Sequence, residues 1–262
     1  MLRYLRLLGV QVRTSLLTLL QYRFDFATEG LLELLWTATA LVPLFVAFDA
    51  RETVVGWTFE EALLVVGWFT LLQAVLEGAI NPSLTSVVEH IRKGTLDFIL
   101  LKPADAQFLL STAKFQPWRA TNALAALAIF VVAFRRMGQA PSLAGLALAL
   151  ALLAVAVVLL YSMWILTVSA AFFVVRIDNL TYLFGAIFDA ARWPSSVFRG
   201  VIAFVFTFVI PLALMTTYPA LALLDRLRPA TLSLALAIAA VFAATSRLVW
   251  LRALARYTSA GG

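Results

Sequence analysis

The residues that could do chemistry in this sequence are few. His90 is the only histidine and there is no cysteine, which argues against a histidine-based metal site or triad and excludes disulfides, thiolate metal sites and cysteine catalysis within one chain. Lys93-Gly94-Thr95 lacks the preceding glycine of a phosphate-binding loop, so no ATP-hydrolysing motif is present. The sequence therefore predicts a chain that is not itself an enzyme and that holds no metal or cofactor of its own.

Carboxylates lie near the ends of two apolar segments, where burying them is costly. Glu29 and Glu33 come at the start of the first segment, and Glu77 comes near the end of the second. Such residues could form a polar vestibule for a cationic or zwitterionic substrate, or they could reach the interface and pair with nearby arginines. Trp68 and Trp164 fall inside spans and could line a substrate surface, or they could pack in the core or against lipid. The candidate residues of a substrate pathway are Trp68, Gln73, Glu77 and Trp164.

Composition places these residues in a membrane protein. Hydrophobic residues make up 63% of the 262 residues, charged residues 13%, and the mean hydropathy is +0.96. Several runs reach the ~20 apolar residues that cross a bilayer as an α-helix. The sequence therefore predicts an all-α polytopic protein with six transmembrane helices in a single domain, residues 1–262. We interpret the net charge of +6 as membrane orientation rather than nucleic-acid binding.

The apolar runs give approximate bounds for the six spans. The third run is the weakest, so that span either borrows aromatic residues at the interface or is re-entrant. The fourth is longer than one crossing requires, which favours a tilted helix or one that projects beyond the bilayer. The runs fall at residues 30–48, 62–80, 123–134, 142–175, 201–224 and 231–250.

Positive charge predicts which side of the membrane each loop faces. With the N-terminus inside, 15 of the 20 lysines and arginines fall in cytoplasmic segments, and all three lysines fall in the loop after the second span. Arg135 and Arg136 count against this orientation but are outnumbered. We therefore expect both termini in the cytoplasm and the protein in the bacterial cytoplasmic membrane.

A polar and basic stretch, residues 81–103, interrupts the apolar pattern after the second span. Its apolar residues recur at helical spacing, and Pro82 and Gly94 suit the two ends of a short helix at residues 83–93. Such a helix would rest on one apolar side and present a charged side to a cytoplasmic partner. The candidate coupling residues are Leu84, Val87, Val88, Glu89, Ile91, Arg92, Lys93, Gly94 and Asp97.

The N-terminal segment, residues 1–24, predicts a helix that lies along the membrane surface. Arg3, Arg6 and Arg13 fall on one side of this helix, opposite a leucine-rich stripe. That pattern suits the headgroup region. An ordinary positively charged flank before the first span is the alternative interpretation.

Two later segments also depart from a simple spanning pattern. Residues 178–190 repeat apolar residues at helical spacing and predict a second amphipathic, cytoplasmic helix. Residues 211–224 begin at Pro211 and include Pro219. Because proline lacks a backbone donor and kinks helices, this segment is predicted to be a re-entrant hairpin on the extracellular side, before the last span.

Several motifs resemble one family of transport proteins. Residues 91–103, IRKGTLDFILLKP, followed by Gln107-Phe108, look like the hallmark of the ABC-2 type permeases. The chain is similar along essentially its whole length to the six-span subfamily called "ABC-2 family transporter protein". Other segments that fit are residues 57–61 (WTFEE), 176–180 (RIDNL) and 211–219 (PLALMTTYP).

The resemblance implies the membrane subunit of an ATP-binding cassette exporter with a type V fold. Two permeases would pair, either as identical copies or, as is often found in this subfamily, as related chains. Each would dock on one of two separate nucleotide-binding subunits, which bind ATP and Mg²⁺. Residues 83–93 would be the coupling helix, residues 1–24 the interfacial helix and residues 211–224 the re-entrant segment.

The substrate and the transport class stay open at the level of sequence. Small amphipathic or cationic compounds are favoured because no large polar conduit is evident, with lipids and glycan precursors as alternatives. A secondary transporter would need coupling groups at the bilayer midplane, which the sequence does not show. A membrane assembly factor without transport activity is a further alternative. Nucleic acid is not an expected partner, whereas membrane lipid is.

Overall fold

The computed structural model describes residues 2–21, 23–173 and 178–257, so Arg176 and Ile177 of the RIDNL motif lie outside it. Apart from one isolated bridge between Val54 and Trp57, the regular structure in these ranges is helical, which confirms the predicted all-α fold. The α-helices are α1 (Leu2–Gln21), α2 (Arg23–Asp49), α3 (Phe59–Val75), α4 (Asn81–Arg92), α5 (Asp97–Leu100), α6 (Ala106–Ser111), α7 (Ala120–Met137), α8 (Leu143–Ser169), α9 (Asp178–Asp189), α10 (Gly200–Phe204), α11 (Tyr218–Leu223) and α12 (Ala230–Ala255).

Five helical segments of the described chain are long and apolar enough to cross a membrane, and a bent pair provides a sixth if it counts as one span. This agrees with a polytopic membrane protein. The third candidate includes a short 3₁₀ turn before α7 and reaches 21 residues, so it is long enough for a complete crossing. The five segments are Ala27–Asp49, Phe59–Arg92, Pro117–Met137, Leu143–Phe172 and Ala230–Ala255.

The second span and the predicted short helix after it form one continuous helical segment. Helices α3 and α4 are joined by the π-helical turn Leu76–Ile80, which gives 34 helical residues from Phe59 to Arg92. At ~1.5 Å per residue this is ~50 Å, against ~30 Å of bilayer hydrocarbon. The C-terminal bound agrees with the sequence, because α4 ends at Arg92 and Gly94 turns the chain with φ +64°, whereas Pro82 does not begin a separate helix. What the sequence pattern did not predict is that α4 extends the span.

A π-helical turn ends two residues before a proline in three places, and the helix continues in two of them. At the third, Val205–Val209 before Pro211, the chain bends sharply. The turn Leu76–Ile80 comes before Pro82, with a backbone bond from Asn81 to the first residue of the turn. The turn Ala213–Thr217 comes before Pro219 in the same way. Proline has no N–H and its ring clashes with the carbonyl four residues earlier. The wider turn changes which carbonyl meets the ring, so neither Pro82 nor Pro219 ends its helix.

The two ends of the bundle are fixed by polar contacts between helices. At one end, Glu61 near the start of α3 pairs with Arg226 at 2.6 Å, and Ser142 donates a hydrogen bond to Asp225 at 2.6 Å. At the other end lie the C-terminus of α4 and Arg247 of α12. We call the first the outer end and the second the inner end, which the charge pattern predicts to be cytoplasmic.

Between these ends, α3, α8 and α11 form the centre of the fold. Gly67 of α3 lies against the ring of Phe130 on α7, so close that a Cβ there would come within 2.6 Å of it. Trp68 and Phe130 pack at 5.2 Å between ring centroids. By contrast, α2 is exposed along most of its length.

Helix α9 packs on α8, and its last turn and the 3₁₀ turn that follows it reach α3. Its first turns line a cavity together with α4, and Phe188 near its end packs on Phe69 of α3 with ring centroids 5.2 Å apart. The chain then reaches Ser196, whose hydroxyl accepts a hydrogen bond from Trp57 Nε1 close to the outer end, at 3.1 Å. The segment from α9 to Ser196 therefore leads towards the outer end of the bundle. The cytoplasmic position of the helix at residues 178–190 stays a prediction.

The predicted re-entrant segment is the second arm of a bent helical pair. The arms are Gly200–Val209 and Ala213–Leu223. The helix axis bends by 68° from one arm to the other, and Pro211 lies in the break between them. The first arm is largely exposed, and the second is mostly buried against α3 and α8. Pro219 sits in the first turn of α11 and makes no break. A bend of this kind fits a broken span as well as a re-entrant loop.

Candidate functional site: a polar groove and the inner end of the bundle

A polar groove runs along α3 and α4 on the side that faces α9. It consists of three cavities of about 460, 260 and 320 Å³. The first two share Gln73 and Asp189, and the last two share Glu77, Tyr182 and Gly185. Because neighbouring cavities share lining residues, they form one path from the middle of α3 towards the inner end.

Glu77 is the acidic residue at the centre of the groove. It lies in the π-helical turn and accepts a hydrogen bond from Asn81 Nδ2 at 3.1 Å. Within the described part of the chain, no lysine or arginine forms an ion pair with it. Single π turns inside α-helices are frequent at functional sites, because the extra residue redirects the side chains of the turn. Glu77 is therefore a carboxylate with a neutral partner in an open cavity.

The other charges of the groove are paired. Asp189 pairs with Arg192 at 3.1 Å, and the guanidinium of Arg192 lies 5.1 Å from the ring centroid of Phe69. Glu33 on α2 forms an ion pair with Arg119, and it accepts a hydrogen bond from Asn122 Nδ2 at 3.0 Å. Of the two interpretations of the carboxylates, pairing with an arginine describes Glu33.

The two tryptophans of the predicted pathway have different surroundings. Trp164 lines the 320 Å³ cavity with Glu77 and Asn81, and its ring packs edge-on against Phe184 at 5.0 Å. Trp68 is buried against Phe130 and lines none of the three cavities. The structure thus brings Gln73, Glu77 and Trp164 together and leaves Trp68 in the core.

The predicted coupling residues divide between two faces of α4. Leu84, Val87 and Val88 are buried, with 1%, 0% and 8% of their surface exposed. Ile91 is partly buried and packs against the same core. The apolar stripe therefore holds α4 to its own chain.

The opposite face of α4 and the turn after it form an exposed surface at the inner end. Glu89 and Lys93 are exposed and pair at 3.5 Å, and Arg92 is exposed beside them. Asp97, half-buried, begins the short helix α5. Beyond it, apolar side chains project from the same end: Phe98 is 70% exposed and Leu101 is 81% exposed. We call these residues, 89–101, the inner-end surface.

The loop that follows this surface is attached to three helices by polar contacts. Arg247 of α12 binds Asp105 at 2.6 and 3.3 Å and donates to Gln107 Oε1 at 2.6 Å. Gln107 in turn donates to the hydroxyl of Tyr161 on α8 at 3.0 Å. Tyr4 of α1 accepts a hydrogen bond from the Asp105 amide at 3.2 Å. We call this group of five residues the loop clamp.

The environment of Asp105 favours its ionised form. Partial burial alone raises the pKa of this carboxyl, but hydrogen bonds from Arg247 and from the Phe108 amide outweigh it, so the pKa of Asp105 lies below its ordinary value. The bidentate contact with a guanidinium therefore persists at neutral pH.

The comparison with protein families decides what kind of protein carries these two sites. A family profile described as "ABC-2 family transporter protein" matches residues 34–261. The chain belongs to this family. Searches of the curated proteins and of the solved structures each found no match. The chain is thus a membrane permease of an ATP-binding cassette transporter, a membrane subunit that is not the ATPase and that works with ABC ATPase subunits.

Several groove residues of this permease were not predicted from the sequence. Asn81 follows Glu77 by four residues, so helical spacing could have indicated that the two side chains meet. Tyr182, Asp189 and Arg192 come from a distant segment and reach the groove only because α9 and the turn after it pack on α8 and α3. No local sequence signal connects these three residues with Glu77.

Proposed function

We propose that this permease is the membrane subunit of an exporter that moves an amphipathic or cationic small molecule out of the cytoplasm. ATP and Mg²⁺ would be bound by a separate ATPase, two copies per complex. The observation that carries the proposal is the extension of the second span: in a chain of this family, α4 continues α3 about 20 Å past the hydrocarbon thickness at the inner end. A rigid rod of this kind can pass a displacement at its tip into the membrane.

The inner-end surface is the proposed docking site for the ATPase. Since the apolar stripe of α4 is buried in its own chain, the side chains exposed towards a partner are those of Glu89 and Lys93 and the apolar ones at Phe98 and Leu101. An exposed apolar centre with a charged rim is typical of a protein interface. Movement of the docked ATPase would then reach α3 through α4, and α8 and α12 through the loop clamp.

A second permease, identical or related, is proposed to cover the open side of the groove. The wall formed by α2 is exposed, with Trp36 at 71% and Thr37, Thr39 and Ala40 lining the first cavity. A paired permease over α2 would turn an open groove into an enclosed path. A single chain leaves polar residues of the groove facing lipid, which is unfavourable.

The test is purification of the permease with the ATPase encoded beside it, followed by ATP-driven uptake into inverted membrane vesicles. Leu101→Ser should reduce recovery of the ATPase several-fold, because it removes the most exposed apolar side chain of the inner-end surface. The matched control is Leu143→Ser, a leucine of similar exposure (87% against 81%) at the outer end. Lys93→Glu should leave insertion unchanged and lower transport per ATP hydrolysed.

Each outcome bears on one of the alternatives. ATP-driven uptake of the fluorescent amine dansylcadaverine supports export of amphipathic cations. Uptake of a fluorescent phospholipid or a glycan precursor instead would favour those substrates. Recovery of no ATPase under any condition would overturn the proposal in favour of a secondary transporter or an assembly factor.

A further inference from the structure

The inner part of the polar groove has the chemistry of a binding site for an amine. We infer that Glu77, Asn81 and Trp164 bind the protonated amine and a hydrogen-bond acceptor of the same amphipathic substrate. This inference rests on the proposed function and names the chemical group that the exporter recognises. The cavity formed by these residues measures about 320 Å³ and continues into the 260 Å³ cavity, a size that suits a small organic ligand.

Two residues that line this cavity each carry a buried polar atom without a hydrogen-bond partner within the described chain. Asn81 donates through Nδ2 to Glu77, which leaves its Oδ1 buried and without a hydrogen bond. Trp164 is 2% exposed, and its Nε1 is buried without an acceptor. Buried polar groups are almost always satisfied, so two such atoms on residues of one cavity favour a ligand that supplies both a donor and an acceptor, reached by a small rotation of the side chains.

The charges around the cavity favour a cation. Glu77 has a neutral partner, while Asp189 and Arg192, which line the adjoining part of the groove, form an ion pair with each other at 3.1 Å. A carboxylate and an amide oxygen accept from the N–H groups of a primary or secondary ammonium. Tyr182 and Trp164 add aromatic surface to the same cavity, which attracts a cation and covers the apolar body of the ligand.

The experiment measures binding to the full permease, purified with its ATPase in the absence of nucleotide. The probes are dansylcadaverine, which carries a primary ammonium and a sulfonamide acceptor, and its N-acetyl derivative, which keeps the acceptor and loses the charge. Binding is followed by fluorescence anisotropy. This readout does not depend on ATP-driven transport, so it separates the site from the proposed function.

Glu77→Gln should weaken the binding of dansylcadaverine about tenfold and leave the binding of the acetylated probe unchanged, because the substitution keeps the shape of the side chain and removes its charge. Trp164→Phe should weaken the binding of both probes by a few-fold, because it removes the N–H donor and part of the aromatic surface of the cavity. Two variants serve as controls and should leave the affinity for both probes unchanged. They are Glu52→Gln, in an exposed outer loop, and Trp68→Phe, which removes an equally unpartnered N–H that lines none of the groove cavities.

The outcomes separate the two proposals. Equal binding of the amine to wild type and Glu77→Gln overturns the amine site and leaves export open. An effect of Trp68→Phe as large as that of Trp164→Phe overturns the role of the cavity as well. Glu77-dependent binding without any ATP-driven movement of the amine supports the site and overturns the export of cations.

Discussion

At the scale of single residues, the loop clamp shows how a few side chains can join the inner-end surface to distant helices. Asp105 and Arg247 are separated by 142 residues, yet they make two hydrogen bonds. Gln107 extends the contact to Tyr161 of α8. The ion pair is partly exposed, so its contribution to stability is modest, at most ~1 kcal/mol. Its importance lies in fixing the loop in one position.

Asp105 gives this contact a defined pH dependence. Because the folded-state pKa lies below the unfolded value, the stabilisation is present above the unfolded pKa of ~3.9 and is lost as the pH falls through the folded pKa. We expect the Tm of the purified permease to fall when the pH drops below about 4. The Asp105→Asn variant should have a Tm about 2–4 °C lower than wild type at neutral pH, and its Tm should change less with pH in the acidic range. The measurement is thermal unfolding in detergent at several pH values. If Asp105→Asn has the same Tm as wild type at every pH, the ion pair of Asp105 with Arg247 does not stabilise the fold.

At the scale of elements, the two faces of α4 have different roles. The buried face stabilises the fold, and the exposed face is proposed to couple the permease to the ATPase. Leu84 is 1% exposed and packs in the core, so Leu84→Ala should lower the free energy of unfolding by ~2–5 kcal/mol. Glu89 is exposed on the other face, so Glu89→Ala should change stability by less than ~0.5 kcal/mol and act only on coupling to the ATPase. Thermal unfolding of both variants, alongside transport, checks this division. Equal destabilisation by the two would show that the faces are not distinct.

The same element shows what the sequence could predict. The spacing of apolar residues predicted the stripe of α4, and Gly94 predicted its C-terminal end, because both signals are local. Continuity with α3 was missed, since a proline after polar residues is typical of a break. A π turn can absorb a proline without a break, and it has no sequence period of its own.

Helix α9 shows the opposite case. Its amphipathic pattern was predicted, but a pattern does not say which neighbour covers the apolar face. Phe188 packs against Phe69 of α3, and this contact places Asp189 in the groove beside Gln73. The groove could be predicted in part, through Glu77, Gln73 and Trp164. The wall supplied by α9 depends on tertiary contacts that no single segment encodes.

At the scale of the whole molecule, the path of the chain between α8 and α12 decides the membrane topology. Ser196 meets Trp57 at the outer end, while α9 begins near α4 on the inner side. The segment between them thus extends through the depth of the bundle. If this segment crosses the membrane together with α2, α3, α7, α8 and α12, the protein makes six crossings and the bent pair at 200–223 is re-entrant from the outer side. If it does not, the bent pair supplies the sixth crossing.

The absence of cysteine makes this topology testable one position at a time. Single cysteines at Glu52, Val197 and Leu101 should react differently with a membrane-impermeant maleimide on intact cells. We expect Glu52→Cys and Val197→Cys to be labelled from outside, because both lie near the outer end, and Leu101→Cys only after permeabilisation.

Val197 is the position that discriminates. If it is labelled only after permeabilisation while Glu52 is labelled on intact cells, the segment after α9 stays on the inner side and the bent pair must supply the sixth crossing. If it is labelled from outside, α9 lines the groove as part of a span. The paired charges of Asp189 and Arg192 then lie within the membrane, where their mutual neutralisation lowers the cost of burying them.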